Sequence, residues 1–249
     1  MSRLLEAEGL DAFHGHLQAL HDVSITVDEG ETVALVGANG AGKSTLLATL
    51  AGAHRPGRGV VRWAGRDVTA LPAHRRVRLG VSLTPEGRRL FPSLTVEENL
   101  QVGGWTQRSP QRTAQGSGAW SIERVYEAFP LVAGVRDRRA DALSGGERQA
   151  VAIARSLLAN PRVLLLDEVS LGLAPVIVDQ LYESLAGVRA EGAGLLLVEQ
   201  DLARAMEFCD RMYCLLEGRV VLAGRPDELG RDEVVAAYFG TRTDLRGAS

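Results

Sequence analysis

The run Gly37-Ala-Asn-Gly-Ala-Gly-Lys-Ser-Thr45 constrains the fold of this chain more than any other feature. It fits G-x-x-x-x-G-K-[ST] and directly follows the β-prone segment Thr32-Val-Ala-Leu-Val36. Leu46, Leu47 and Leu50 then recur at helical spacing. A strand that enters a helix through a glycine-rich loop turns successive backbone N–H groups inward, and the helix N-terminus adds partial positive charge. Such a loop cradles phosphate oxygens. Gly37, Ala38, Asn39, Gly40, Ala41, Gly42 and Thr45 are expected to line it, with Lys43 reaching the β- and γ-phosphates and the Ser44 hydroxyl on Mg²⁺.

Lys43 is the only lysine among 28 Lys and Arg residues, so the other 27 are arginines. A compact ammonium fits inside the loop as a point charge, whereas a planar guanidinium would crowd the phosphates.

Beyond the loop the chain alternates. Val60 to Trp63 resumes a strand after Pro56-Gly-Arg-Gly59, which is expected to end the first helix. Continuous apolar runs at Val163–Leu166 and Leu195–Val198 alternate with helical patterns at 146–158 and around 176–190. Apolar strands that alternate with helices predict an α/β fold with a mainly parallel sheet buried on both faces. Before it, runs such as Val23-Ser-Ile-Thr-Val27 read as strands joined by tight turns. Between Glu86 and Asp141 the texture becomes helical, at Thr95 to Leu100 and Ile122 to Phe129. The stretch Thr106 to Ser121, rich in Gly, Ser, Gln and Thr, reads as a mobile loop.

Val163-Leu-Leu-Leu-Asp-Glu168 puts two carboxylates at the end of a buried strand, the carboxyl edge of a parallel sheet. Alone the pair is weak evidence, because strands often end in solvated acids. Downstream of a phosphate loop, Asp167 suits the Mg²⁺ shell and Glu168 a general base for the attacking water. Leu143-Ser-Gly-Gly-Glu-Arg-Gln149 opens the next helix, where Ser144 offers a hydroxyl and Gly145 and Gly146 offer free N–H groups.

Phosphate loop, LSGGERQ and LLLDE, in this order and spacing, resemble the ABC ATPases over nearly the whole chain. The resemblance implies a P-loop NTPase core over 1–85 and 142–240 (RecA-like, with an N-terminal antiparallel β subdomain), an inserted α-helical subdomain over 86–141 and a tail over 241–249. It implies ATP and Mg²⁺ as cofactors and a head-to-tail dimer in which Ser144, Gly145 and Gly146 of one subunit contact the γ-phosphate held by Lys43 of the other. His14, before Gly15, matches the position where the family stacks an aromatic on adenine, with Phe13 as the alternative platform.

Two positions depart from the family pattern. Glu86, in Thr84-Pro-Glu-Gly-Arg88, stands where the family carries a glutamine; it can accept from Mg²⁺-bound water but adds negative charge near the phosphates. Gln200, in Val198-Glu-Gln200, stands where the family carries a histidine; its amide can donate to the γ-phosphate without titrating near neutral pH. These segments, together with Leu171-Gly-Leu-Ala-Pro175, are similar to the ATPases of branched-chain amino-acid importers. Urea and amide importers share parts of the pattern, and an ATPase of lipopolysaccharide-type export or a non-transport ABC protein are the other readings. An importer implies permease subunits docked between Glu86–Phe91 and Thr95–Asn99, a sibling or identical ATPase, and, indirectly, a periplasmic or surface solute-binding protein.

Composition excludes other classes. A net charge of -3 and a pI near 6.0 give no basic field for nucleic acid. Cys209 and Cys214 lack partners at metal spacing, so buried or idle thiols are expected. With no apolar run of membrane length and an acidic start, the expected location is the cytoplasmic face of the membrane, held there by partners. No second lysine exists to make the Asn-Lys-x-Asp signature of a GTPase.

Overall fold

A computed structural model describes residues 2–105 and 119–241. Two sheets organise it. Strands β1 (Arg3–His14), β2 (Leu17–Asp28), β4 (Arg58–Trp63) and β5 (Arg66–Asp67) form an antiparallel sheet in the order β2-β1-β4-β5. The second sheet has the order β10-β9-β3-β8-β7-β6, from β3 (Thr32–Val36), β6 (Val81–Thr84), β7 (Val163–Leu166), β8 (Gly194–Glu199), β9 (Arg211–Leu216) and β10 (Arg219–Gly224). Five of its strands run parallel, and only β10 pairs antiparallel, at the edge.

Strand periodicity explains why the central runs are apolar throughout. Ala34, Val36, Leu164, Leu166, Leu195 and Leu197 enter one core, while Val33, Leu35, Val163, Leu165, Leu196 and Val198 enter the other. Alternate side chains leave opposite faces of a strand, so burial on both faces demands apolar residues at every position. The first core is covered by α6 (Gly145–Leu157), α7 (Pro175–Ala190) and the helices that follow β6. The second is covered by α1 (Lys43–Ala51) and the antiparallel sheet.

The first helix stops sooner than the sequence suggests. Gly52, left-handed at φ 75°, ends α1 four residues before Pro56 by donating to Ala48 and Thr49 carbonyls. Arg76 of α2 (Ala73–Leu79) secures that end. Only 1% exposed, it donates to the carbonyls of Thr49, Leu50, Thr69 and Leu71 at 2.8–3.0 Å. Burial pulls its guanidinium down to about 10, with Asp67 opposing. The helix that carries the phosphate loop is thus tied at its far end by one buried cation.

Between β6 and α6 lie α3 (Val96–Gly103), α4 (Ile122–Ala128) and α5 (Pro130–Ala133). Thr95 and Glu98 form a reciprocal cap on α3, and Ser121, read from sequence as loop, caps α4 by accepting from Arg124 N–H. Residues 106–118 of that expected loop and positions 242–249 of the expected tail lie outside the described residues, whereas Trp120, also expected in the loop, is buried. Asn99, placed by the sequence reading on a docking surface, is fully buried. Its amide accepts from Phe91 N–H at 2.9 Å and donates to the carbonyls of Phe91 and Thr95, so it clamps the loop below that surface.

Helix α8 (Leu202–Phe208) and the β9–β10 hairpin have no counterpart in the sequence reading. The hairpin turns on Glu217 and Gly218, both left-handed (φ 46° and 74°), the signature of a tight two-residue connection. Helix α9 (Arg231–Phe239) closes the described chain. No helix among the described residues is long and apolar enough to cross a membrane. Cys209 and Cys214 are free and buried, and burial pushes both thiols up to about 11.

Candidate active site

The carboxyl ends of β3, β7 and β8 converge, because these strands are neighbours in one parallel sheet. Each delivers a loop. From β3 comes Gly37–Thr45, which turns into α1. Gly37 sits at φ 148°, and a Cβ there would lie 2.2 Å from the Leu215 carbonyl oxygen on β9. The hairpin that the sequence reading missed is therefore the floor on which the phosphate loop rests.

Lys43 is 5% exposed, and its Nζ donates to the carbonyls of Gly37 (2.7 Å) and Ala38 (2.9 Å). Burial lowers its pKa, while the carboxylates of Glu168 and Asp167 oppose the shift. The Ser44 hydroxyl donates to Asp167 Oδ1 at 3.2 Å. Two sequence-predicted residues 123 positions apart are thus in contact.

Burial raises the Asp167 carboxyl, and the charges of Glu168 and Glu86 raise it further against the Ser44 hydrogen bond and Lys43. Asp167 and Glu168 therefore share the field of one ammonium, and Glu86 adds its negative charge to Asp167. A hydroxyl beside a buried, charge-crowded carboxylate is a hard oxygen donor set that fits Mg²⁺. No group of three or more His, Cys, Asp or Glu among the described residues is arranged to hold a metal alone. Water and phosphate oxygens would complete the shell of an ion held here.

A raised carboxyl pKa means that folding at neutral pH buries an ionised Asp167 in a site that disfavours the charge. That cost is full above the raised value and vanishes below the unfolded one. In chelator, Asp167→Asn should therefore raise the melting temperature at pH 7. The gap from the parent chain should close as pH falls through the acid range. Thermal unfolding at pH 7 and in acid checks both parts.

Glu168 adopts φ 51°, a left-handed conformation that a residue with a Cβ holds only when its surroundings enforce it. Its Oε1 accepts from Gln200 Nε2 at 3.0 Å, and the same amide reaches Asn39 Oδ1 at 3.2 Å. Gln200 therefore bridges the phosphate loop and the acidic strand end. Glu86, exposed on the loop after β6, is coupled to Asp167 by charge alone.

His14 Nε2 lies 3.0 Å from Thr45 Oγ1, and its ring lies beside that of His54, with centroids 4.8 Å apart and planes tilted by 45°. Phe13, its neighbour on β1, leaves the other face and packs on Gly57. Of the two aromatic platforms, the fold brings His14 to the phosphate-loop helix.

Ser144, Gly145 and Gly146 are not brought to this cluster. Ser144 caps α6, its Oγ accepting from Glu147 N–H at 3.2 Å while Glu147 accepts from Ser144 N–H at 2.6 Å. Gly146 has a packing reason as well, since a Cβ there would lie 2.3 Å from Ile177 Cγ2 of α7. Arg88 lies over Gly145 and donates to Gln149 Oε1 at 3.0 Å, so the Glu86 loop and the start of α6 are joined.

The sequence profile described as ABC transporter matches residues 20–170 of this chain, across the phosphate loop, the α6 motif and Glu168. The chain belongs to the ABC transporter family. It is an ATP-binding, ATP-hydrolysing subunit of that family. It is 43% identical over 88% of its length, and 91% of the relative, to the high-affinity branched-chain amino acid transport ATP-binding protein BraG of Pseudomonas aeruginosa. It is 36% identical to the lipopolysaccharide export system ATP-binding protein LptB of Acidithiobacillus ferridurans, over 98% of this chain and 100% of that one. The crystal structure of a nucleotide-free ATP-binding cassette from an ABC transporter superposes with a TM-score of 0.78 at 26% identity, covering 94% of each chain. The fold expected from the motifs is the ABC cassette fold, and the resemblance to the branched-chain amino-acid group holds across most of the chain.

The sequence reading of this ABC ATPase missed one residue in the site's immediate support. Glu199, 1% exposed, ends β8 next to Gln200. The signal was present: an acid closing an otherwise apolar buried strand needs buried donors.

Proposed function

We propose that this ATPase powers an importer of branched-chain amino acids, and that its ATP site is built as follows. The backbone N–H groups of Gly37 to Thr45 cradle the phosphates, with Lys43 on the β- and γ-phosphoryl oxygens. His14 supports the adenine. Ser44 and Asp167 would hold Mg²⁺, with Glu86 placed to add an acceptor beside them. When bound, the ion neutralises charge on the β- and γ-phosphates.

Glu168 takes a proton from water as its oxygen bonds to the γ-phosphorus and the bond to the β-phosphate oxygen breaks, giving ADP and phosphate. Gln200 holds the Glu168 carboxylate and can turn its second N–H from Asn39 to the γ-phosphate. The observation that carries this reading is the chain Asn39, Gln200, Glu168, which joins phosphate loop and base through one neutral amide. A glutamine performs the bridging without titrating, so the departure from histidine is compatible with turnover.

Ser144 and the N–H groups of Gly145 and Gly146, remote from this cluster in the same chain, complete the site of a second ATPase subunit, identical or sibling. The half-exposed Phe91 beside the Glu86 loop marks the surface for membrane permease subunits, which would hold the chain at the cytoplasmic face. A solute-binding protein would deliver the amino acid to the permease.

Import is favoured over export because the relative at 43% identity is named for branched-chain amino-acid transport. Export of lipopolysaccharide is the second reading, carried by the relative named for that system. The test is ATP-dependent uptake of radiolabelled leucine, isoleucine and valine into vesicles with the copurifying membrane subunits. Uptake that stops when ATP is omitted is expected. Extraction of lipopolysaccharide without amino-acid uptake would overturn the importer reading.

A further inference from the structure

The loop after Glu168 and the strand end that carries Gln200 are both held by one buried side chain. Glu199 Oε2 accepts from the Ser170 hydroxyl at 2.7 Å and from Gln200 N–H at 3.2 Å, and Oε1 accepts from the Tyr182 hydroxyl of α7 at 2.7 Å. Ser170 lies two residues after Glu168. Gln200 follows Glu199 directly.

We propose that Glu199 is a positioning residue for ATP hydrolysis, fixing both partners of the Glu168–Gln200 hydrogen bond; this rests on the base assignment given to Glu168. The left-handed backbone of Glu168 requires the residues around it to over-determine its conformation. On its C-terminal side that constraint is the Ser170–Glu199 bond, with Val169 fully buried between. On the other side of the pair, Gln200 leaves β8 at the Glu199 carboxylate, which fixes where its amide points.

Core stability alone does not call for a carboxylate here. Every other residue of β8 is apolar or glycine, and a buried carboxylate is costly to desolvate. What a carboxylate offers at this place is two oxygens that accept from separate elements at once, the Glu168 loop and α7. Burial, then the Glu199 charge, raise the Tyr182 phenol, so the hydroxyl stays a donor. Glutamine keeps the shape of Glu199 but replaces one acceptor oxygen with an N–H donor, so the Ser170 and Tyr182 hydroxyls can no longer both donate to it and one of these bonds must reverse or break.

The experiment is steady-state Mg-ATP hydrolysis by the full chain and its variants Glu199→Gln, Ser170→Ala, Ser170→Thr and the Ser170→Ala/Glu199→Gln double, with melting temperatures measured in parallel. Loss of an outer support of this kind costs about 10–100-fold. Glu199→Gln and Ser170→Ala are each expected to lower kcat by about tenfold or more, with KM for ATP and melting temperature near the parent values. Ser170→Thr, which keeps the hydroxyl, should restore kcat. The double variant should be no slower than the slower single one, because both remove the same constraint.

Parent kcat in Glu199→Gln, multiplied losses in the double variant, or losses that track a falling melting temperature would each overturn the proposal. Glu168→Gln run alongside separates the two levels. Turnover by Glu168→Gln removes the base assignment. An inactive Glu168→Gln beside a fully active Glu199→Gln removes only the positioning role.

Discussion

Glu168→Gln lowers the rate of Mg-ATP hydrolysis by about 10²–10⁴-fold, the usual contribution of a positioned general base, while ATP still binds. The amide is nearly isosteric with the carboxylate, so the left-handed backbone at φ 51° and the Ser170 tether remain. What is lost is the ability to take a proton. The Gln200 contact survives, since Gln200 Nε2 can donate to the amide oxygen where it now donates to Glu168 Oε1. Loss of rate without loss of binding therefore isolates chemistry from assembly. The measurement is phosphate release beside equilibrium binding of a fluorescent ATP analogue. Turnover equal to the parent would remove Glu168 from the base role and leave the phosphate loop unaffected.

Lys43→Arg has the second large effect, a loss of about 10²–10³-fold in ATP turnover, comparable to removing one preorganised charge-stabilising donor. The change keeps the charge, so a purely electrostatic role would predict little effect. The geometry predicts otherwise. Lys43 is 5% exposed, and its ammonium donates from one point to the Gly37 and Ala38 carbonyls at 2.7 and 2.9 Å. A guanidinium is planar and longer, and cannot place its charge at that point without displacing the loop. The loop has little room to move, because Gly37 already rests against the Leu215 carbonyl. The chain carries 27 arginines and this one lysine, so the substitution tests directly whether shape or charge fixes the residue. A Lys43→Arg variant with parent kcat would show that charge alone suffices.

Much of the site was legible because its parts are local. A phosphate loop needs glycines, a lysine and a hydroxyl within nine consecutive positions, and a buried strand ending in two acids is a contiguous run. The α6 cap is local too, with Ser144 and Glu147 three positions apart. Legibility failed where the reason for a residue lies on another element. Gly146 reads as a free N–H at a helix start, yet the approach of Ile177, 31 positions away, also requires the missing side chain. Asn99 looks like a surface residue of a polar helix and is instead a buried clamp on Phe91. Glu199 was passed over because its donors, Ser170 and Tyr182, are 29 and 17 positions distant.

The sequence by itself determined the family, the strand–loop–helix frame and the chemical types at the site, because these rest on spacing along the chain and on which side chains can hold phosphate, metal and proton. Only the tertiary structure decided how those groups are held. It set β9 beneath the phosphate loop, laid Ser44 against Asp167, turned His14 rather than Phe13 toward Thr45, and bridged Asn39 to Glu168 through Gln200. The physical reason is the order of the parallel sheet. Adjacency of β3, β8 and β7 brings residues 37–45, 199–200 and 167–168 to one edge, and strand order is chosen by the packing of two cores rather than by any local run of residues.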